Sequence, residues 1–213
     1  AELVEQAPEL DSRAAQKLAE GALADYQEDA RALPLEILAE ALSRLGLRPD
    51  LLAQELGVEI HQMLRRLAAL PEERLGRPAG LVVCDASGAI LFRKAVSGFS
   101  LPRFGASCPL WPLFAALSQP GVPIQRLMHQ QGRAARDSQC FAVSWAAQAK
   151  RFDADPVMRS IMLILPAPQP EAQPAETSRP VGASCRICMR RGCEARREPS
   201  ILRDASAAAM APM

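Results

Sequence analysis

Apolar spacing in this 213-residue chain changes character once, across Pro71 to Pro78, from a helical repeat to strand-length runs. Helices repeat every 3.6 residues and strands every two, so blocks of each kind in succession lead to an α+β fold with helices segregated from a sheet. With 49% apolar residues the chain can bury a sizeable core.

Before the change, from Glu9 to Leu70, the chain is rich in Ala, Leu, Glu and Arg, and Leu35, Leu38, Ala39, Leu42 and Leu45 share one helical face. Pro34 suits a first helical turn, Gly46 a stop, and Pro49-Asp50 the next start, which predicts roughly four short helices. Gly57 separates two amphipathic stretches within Leu51 to Leu67, the layout of a helix-turn-helix. Glu59, His61, Gln62, Arg65 and Arg66 stand where a recognition helix carries its reading side chains. Glu59 would repel phosphate there, so packing is the preferred reading and DNA contact by Arg65 and Arg66 the lesser one.

After the change, Gly80 to Asp85 and Ala89 to Val96 read as a hairpin turning at Ala86-Ser-Gly88. Pro109 to Leu117 reads as a short helix, and Val122 to Gln130, Gln139 to Ala147 and Ser160 to Leu165 as further strands. The economical assembly is an antiparallel sheet with a helix on one face, similar to the small sensory folds of the GAF and PAS type. Pro, Ala, Gln and Glu dominate Pro166 to Arg179, an extended linker by composition. The expected organisation is therefore a helical region at 1–72, a sensor domain at 78–166, a linker at 167–180, a cysteine segment at 181–203 and a flexible tail at 204–213.

With 25 basic and 24 acidic residues there is no overall electrostatic case for nucleic-acid binding. The longest apolar runs, such as Ile161 to Leu165, fall far short of the ~20 residues a membrane helix needs. No secretory leader is visible, and a cytoplasmic location is expected. A Gly-rich phosphate loop, a GxSxG elbow and an HExxH motif are all absent from the sequence, so no enzymatic activity is expected.

Chemistry concentrates in the cysteines. Cys84 and Cys140 sit in apolar runs and read as core. Cys185, Cys188 and Cys193 follow a spacing that lets three thiolates reach one centre. A structural zinc or a cubane cluster wants a fourth ligand. Cys108, in the loop Phe104-Gly-Ala-Ser-Cys-Pro109, is the best donor, because a loop of small residues lets the backbone come close. Sites of four thiolates host zinc as well as iron. Arg186, Arg190, Arg191, Arg196 and Arg197 would offset an anionic cluster and favour iron. A zinc-binding interaction module without ligand sensing is the alternative.

Two segments, Ser97 to Pro112 and Val181 to Arg196, together resemble the C-terminal sensor region of the short-chain fatty acyl regulators. This bacterial family includes activators of propionate and repressors of acetate metabolism, and the resemblance covers about residues 30 to 203. Met189 stands where the family motif often has proline. The resemblance implies a cytoplasmic transcription regulator that responds to short-chain acyl-CoA and carries a 4Fe-4S iron-sulfur cluster on Cys108, Cys185, Cys188 and Cys193. It further implies that the N-terminal helices are a remnant of an ImmA/IrrE-like domain. DNA would then be reached only through a missing or partner helix-turn-helix domain, and a homodimer is compatible with this reading. A CoA ester needs an apolar slot and basic residues for its phosphates, roles in which Phe99, Phe104 and Trp111 would line the slot and Arg103 stand at its mouth.

Overall fold

The computed structural model describes residues 2–103, 105–131, 137–147, 152–167 and 178–202. The chain divides at Leu70/Pro71 into two compact units. Phe104, most of the expected linker and the expected tail lie outside the described residues.

The first unit is helical: α1 (Glu2–Glu5), α2 (Arg13–Ala32), α3 (Leu35–Leu45), α4 (Pro49–Leu56) and α5 (Ile60–Ala69). Pro34 precedes the first turn of α3, and Pro49 opens α4, where its missing N–H costs nothing. Gly57 ends α4 in the left-handed region (φ 65°), from which the chain turns into α5. α5 packs on α2 and α4 through Met63, Leu64 and Leu67, all buried. Of the expected four short helices, one is long: α2 continues through 20 residues because no proline interrupts it and its one glycine, Gly21, is tolerated.

Glu59, Gln62, Arg65 and Arg66 do not offer their side chains to a nucleic acid. Glu59 and Gln62 form a capping box at the start of α5. Arg65 makes a two-pronged ion pair with the buried carboxylate of Asp29, both bonds at 2.7 Å. Buried Arg66 donates to the Leu33 carbonyl at 3.0 Å, beneath the Tyr26 ring. The preferred reading, packing, accords with these contacts, and the lesser one, DNA contact by Arg65 and Arg66, does not: both side chains join α5 to the α2 end of the unit.

The second unit opens with the one-turn α6 (Glu72–Leu75) and then forms a six-stranded sheet. Its strands are β1 (Gly80–Asp85), β2 (Ile90–Lys94), β3 (Ile124–Gln130), β4 (Asp137–Ala146), β5 (Met158–Pro166) and β6 (Arg179–Val181), in the order β2-β1-β5-β4-β3-β6. A helix, α7 (Pro112–Ala115), extended by a 3₁₀ turn to Ser118, packs on one face against β4 and β5. The chain runs antiparallel through five strands, and β6 then joins β3 in parallel, pairing Gln130 with Val181. The expected all-antiparallel sheet is thus mixed, and Arg179–Pro180, read from composition as linker, are its edge. Three residues, one of them proline, carry no readable strand period, so only long-range pairing with β3 reveals them.

The core lies between the sheet and α7. Val82, Cys84, Cys140, Ala142, Met162 and Ile164 project from the sheet onto Phe99, Trp111, Leu113 and Ala116. Ser144 and Ser160, buried in the middle of the sheet, donate at 2.6 Å to the carbonyls of Ala116 and Leu113 and so fasten the α7 turn to β4 and β5. Val181, Ala183 and Cys185 are buried as well, so the start of the cysteine segment belongs to this unit's core and the rest lies on its surface.

Candidate metal centre

The segment after β6 is held against the Cys108 loop by backbone bonding. β6 extends in Gln131 N–H donating to the Val181 carbonyl at 3.0 Å, and the Cys108 N–H donates to the Ala183 carbonyl at 2.8 Å. Buried Trp111 donates its indole Nε1–H to the Gly182 carbonyl at 3.0 Å. Buried Gln130, the last residue of β3, donates to the same carbonyl at 3.4 Å and to the Ser100 carbonyl at 3.1 Å. Two chain-distant loops are thereby fixed in one register.

Cys108, Cys185, Cys188 and Cys193 all line one concavity of about 270 Å³, its solvent mouth included, together with Gly182, Arg190 and Arg196. Cys185 and Cys188 sit on a tight turn, Cys188 N–H donating to the Cys185 carbonyl at 3.2 Å. Burial pushes the Cys108 thiol up, N–H donors of Gly182 and Leu110 oppose that, and Cys185 and Cys188 add to it as nearby thiols. Among the described residues, no three His, Cys, Asp or Glu side chains gather closely enough to hold one bare metal ion.

Gly182 packs its backbone directly against Cys188. A Cβ built there would come within 2.9 Å of Cys188 Sγ, so the position excludes any side chain while the cysteine keeps its place. Arg196 supplies the frame on the other side: its guanidinium donates to the carbonyls of Cys185 (3.2 Å), Cys188 (3.2 Å) and Arg190 (2.7 Å). Arg190 in turn donates to the Pro180 carbonyl at 3.1 Å and lies 3.9 Å from Cys193 Sγ. Of the arginines read from sequence as a charge surround, these two line the cavity, Arg197 bonds the Ser107 carbonyl, and Arg186 and Arg191 are exposed.

Cys84 and Cys140 belong elsewhere. Each is fully buried in the sheet, where burial pushes the thiol up to about 12, so neither is a ready thiolate at neutral pH.

Phe99 and Trp111 are not slot-lining residues. Phe99 is 3% exposed and Trp111 fully buried, their rings 5.2 Å apart between the sheet and the cysteine loops. Their expected place on a ligand slot is corrected: in a chain with 4% aromatic residues, the large rings go to the core, where they remove most apolar area from water. Phe104 lies outside the described residues. Arg103 is exposed and lines a separate open groove.

Gln130 and Gly182 escape a reading based on cysteine spacing, while Arg196, expected only as part of a charge surround, also clamps the cysteine turn. One signal for Gly182 is present in the sequence: Gly-Ala-Ser-Cys occurs twice, at Gly105 to Cys108 and at Gly182 to Cys185. The second copy places a small-residue run against the first.

The model of the short-chain fatty acyl coenzyme A regulator C-terminal region matches residues 71–211. The chain is 29% identical over 193 residues to the HTH-type transcriptional regulator PrpR of Mycobacterium tuberculosis, an alignment covering 83% of this chain and 38% of PrpR. It is 28% identical to the propionyl-CoA carboxylase regulator of Cereibacter sphaeroides, covering 88% of this chain and 42% of that protein. RamB, an HTH-type transcriptional regulator of M. tuberculosis, is 26% identical, with 86% of this chain and 41% of RamB covered. The chain thus spans about two-fifths of the length of these curated relatives. A solved M. tuberculosis transcriptional regulator superposes with a TM-score of 0.75 at 26% identity, covering 94% of this chain and 64% of that one.

Proposed function

This chain belongs to the short-chain fatty acyl coenzyme A regulators, and from that membership we propose that it is the iron-sulfur-binding, ligand-responsive portion of a transcriptional regulator of propionate and acetate metabolism. The observation that carries the reading is the meeting of Cys108 with Cys185, Cys188 and Cys193 around one cavity. Two loops at least 77 residues apart that bring four thiols together, with a glycine kept bare for one of them, suit a bound inorganic group. A zinc ion would draw every sulfur to about 2.3 Å from one point. A 4Fe-4S cluster takes one thiolate at each of four irons, and four cysteines border this one concavity.

When bound, such a cluster supplies a redox- and oxygen-sensitive anionic centre. The chain's own residues do the rest. Gly182 and Leu110 present N–H groups to the Cys108 sulfur and stabilise its thiolate. Arg196 holds the carbonyls of the cysteine turn, and its charge together with that of Arg190 offsets the anionic centre. Short-chain acyl-CoA is the signal to which the regulator responds, and DNA is contacted by a helix-turn-helix outside these residues. Arg65 and Arg66 leave no guanidinium to spare for DNA in α5.

Anaerobic purification tests the cofactor. A brown protein absorbing at about 400 nm with about four irons per chain is expected, and Cys108→Ser should lose both colour and iron. One tightly bound zinc and no colour would establish the structural zinc module instead. Propionyl-CoA should raise the melting temperature of the regulator by mass action; no shift at millimolar thioester removes acyl-CoA from the proposal.

A further inference from the structure

The four cysteines of the candidate metal centre are held to different degrees. Cys108 and Cys185 are 6% and 7% exposed, whereas Cys188 and Cys193 are half-buried. The Cys108 peptide is fixed on both sides, its N–H donating to the Ala183 carbonyl at 2.8 Å and its carbonyl accepting from the Trp111 N–H at 3.2 Å. Its sulfur faces the N–H groups of Gly182 and Leu110. The carbonyls of Cys185 and Cys188 both accept from the Arg196 guanidinium at 3.2 Å, and the Cys188 sulfur packs on Gly182. Bonds to other parts of the fold thus set where these three side chains start.

Cys193 is placed otherwise. Among the described residues, its backbone bonding reaches no further than the Arg196 N–H, which donates to its carbonyl at 3.1 Å. Gly192, just before it, lies in the left-handed region (φ 62°), and a Cβ built there would meet nothing within 4 Å, so this turn faces open space. Arg191, Gly192 and Glu194 are all exposed. The Cys193 sulfur lies 3.9 Å from Arg190 Nη1, and the same nitrogen donates to the Pro180 carbonyl of β6 at 3.1 Å. One guanidinium therefore ties the sulfur of a solvent-facing turn to the edge strand. A thiolate leaves a metal when its side chain can swing aside and another ligand can reach the vacated position from water, and the groups bonded around each ligand decide how readily it does so. Both conditions favour departure of Cys193, and Arg190 opposes it.

We infer that Cys193 is the exchangeable ligand of the metal centre, that Cys108, Cys185 and Cys188 suffice to retain the bound group, and that Arg190 is the positioning residue that keeps the fourth thiolate on it. The ligand class that takes the vacated position is a small thiol. In the exchange the bond from Cys193 Sγ to iron breaks, a bond from the incoming sulfur to iron forms, and the proton given up by the incoming thiol passes to Cys193 Sγ. Nothing is oxidised or reduced. This inference rests on the iron-sulfur reading of the site.

Anaerobic iron loading of single variants of the full chain tests the ranking. Cys193→Ala should keep its colour and about three irons or more, and Cys193→Ser should rank with it, while Cys108→Ala and Cys185→Ala should fall below about one iron per chain. Benzenethiol should change the visible spectrum of loaded Cys193→Ala at a concentration about tenfold lower than the unmodified chain requires. Arg190→Gln should speed iron release to a ferrous chelator about tenfold, with the melting temperature of the metal-free chain unchanged. Arg190→Lys, which restores the charge without the planar fork, should recover part of that slowing. Cys193 variants as colourless and iron-poor as Cys108→Ala overturn the ranking, and release from Arg190→Gln at the unmodified rate overturns the role of Arg190. Either result leaves the iron-sulfur reading intact, because the unmodified chain is still brown. A colourless, zinc-loaded unmodified chain overturns that reading and this inference together.

Discussion

Gly182 carries more constraint than its lack of a side chain suggests. Its carbonyl accepts from Trp111 and Gln130, its N–H faces Cys108, and its α-carbon lies where a methyl would strike Cys188. Gly182→Ala should cost about 2 kcal/mol by overpacking, and should lower iron content because the sulfur of Cys188 must yield first. Thermal melts and iron analysis of the purified variant check it. His61 is a second residue-scale device. Burial, aided by the positive charge of Arg65, lowers its folded pKa to about 4 from 6.5. The unfolded chain therefore binds a proton below pH 6.5 that the folded chain refuses until about pH 4. Stability should fall as pH drops through that window, by on the order of 2 kcal/mol for a partly screened ring, and should level off below it. His61→Gln should flatten that part of the stability–pH curve, as read by urea denaturation.

Among the elements, α5 shows how a pattern that suits a recognition helix can serve packing, the reading preferred from Glu59 at its start. Its amphipathic period, the preceding Gly57 turn and the two arginines are those of a recognition helix, and the helix pair does form. What no spacing reveals is that Asp29, 36 residues earlier, is buried where it meets Arg65. Removing that carboxylate leaves a half-enclosed guanidinium with only the looser contact to Asp25 at 3.7 Å. Asp29→Ala should therefore cost about 3 kcal/mol of stability in chemical denaturation. If Arg65 were a DNA contact, Arg65→Gln would weaken promoter binding and reduce its salt dependence; no change in either is expected. β6 makes the complementary point. Its three residues are unreadable as a strand alone, yet their parallel pairing with β3 carries the cysteine segment to Cys108.

For the molecule as a whole, the division at Leu70/Pro71 separates a helical unit from one that holds the sheet, the four cysteines and the groove. Each has its own core, so a chain beginning at Pro71 should fold cooperatively and bind the same iron per chain as the longer one. Circular dichroism melts and iron analysis of that fragment check it; a non-cooperative melt would show that the second unit needs the first. Among the described residues no helix is long and apolar enough to cross a membrane.

Local chemistry made much of this legible in advance. Helix period, proline and glycine punctuation and strand runs marked α3, α4, α5 and β1 to β5 within a few residues, because each depends on neighbours close in sequence. The spacing of Cys185, Cys188 and Cys193, and the loop setting of Cys108, marked the candidate donors for the same reason. Tertiary structure alone decided the parallel edge strand, the burial of Phe99 and Trp111, the capture of Arg65 and Arg66, and the roles of Gln130, Gly182 and Arg196. Most of these depend on a partner 30 or more residues away, as Arg65 does on Asp29 and Trp111 on Gly182, while the Arg196 clamp and the Gly182 contact with Cys188 exist only once the cysteine turn is folded. Pairing at a distance is selected by the packing of the whole unit, and a one-dimensional pattern holds no record of it.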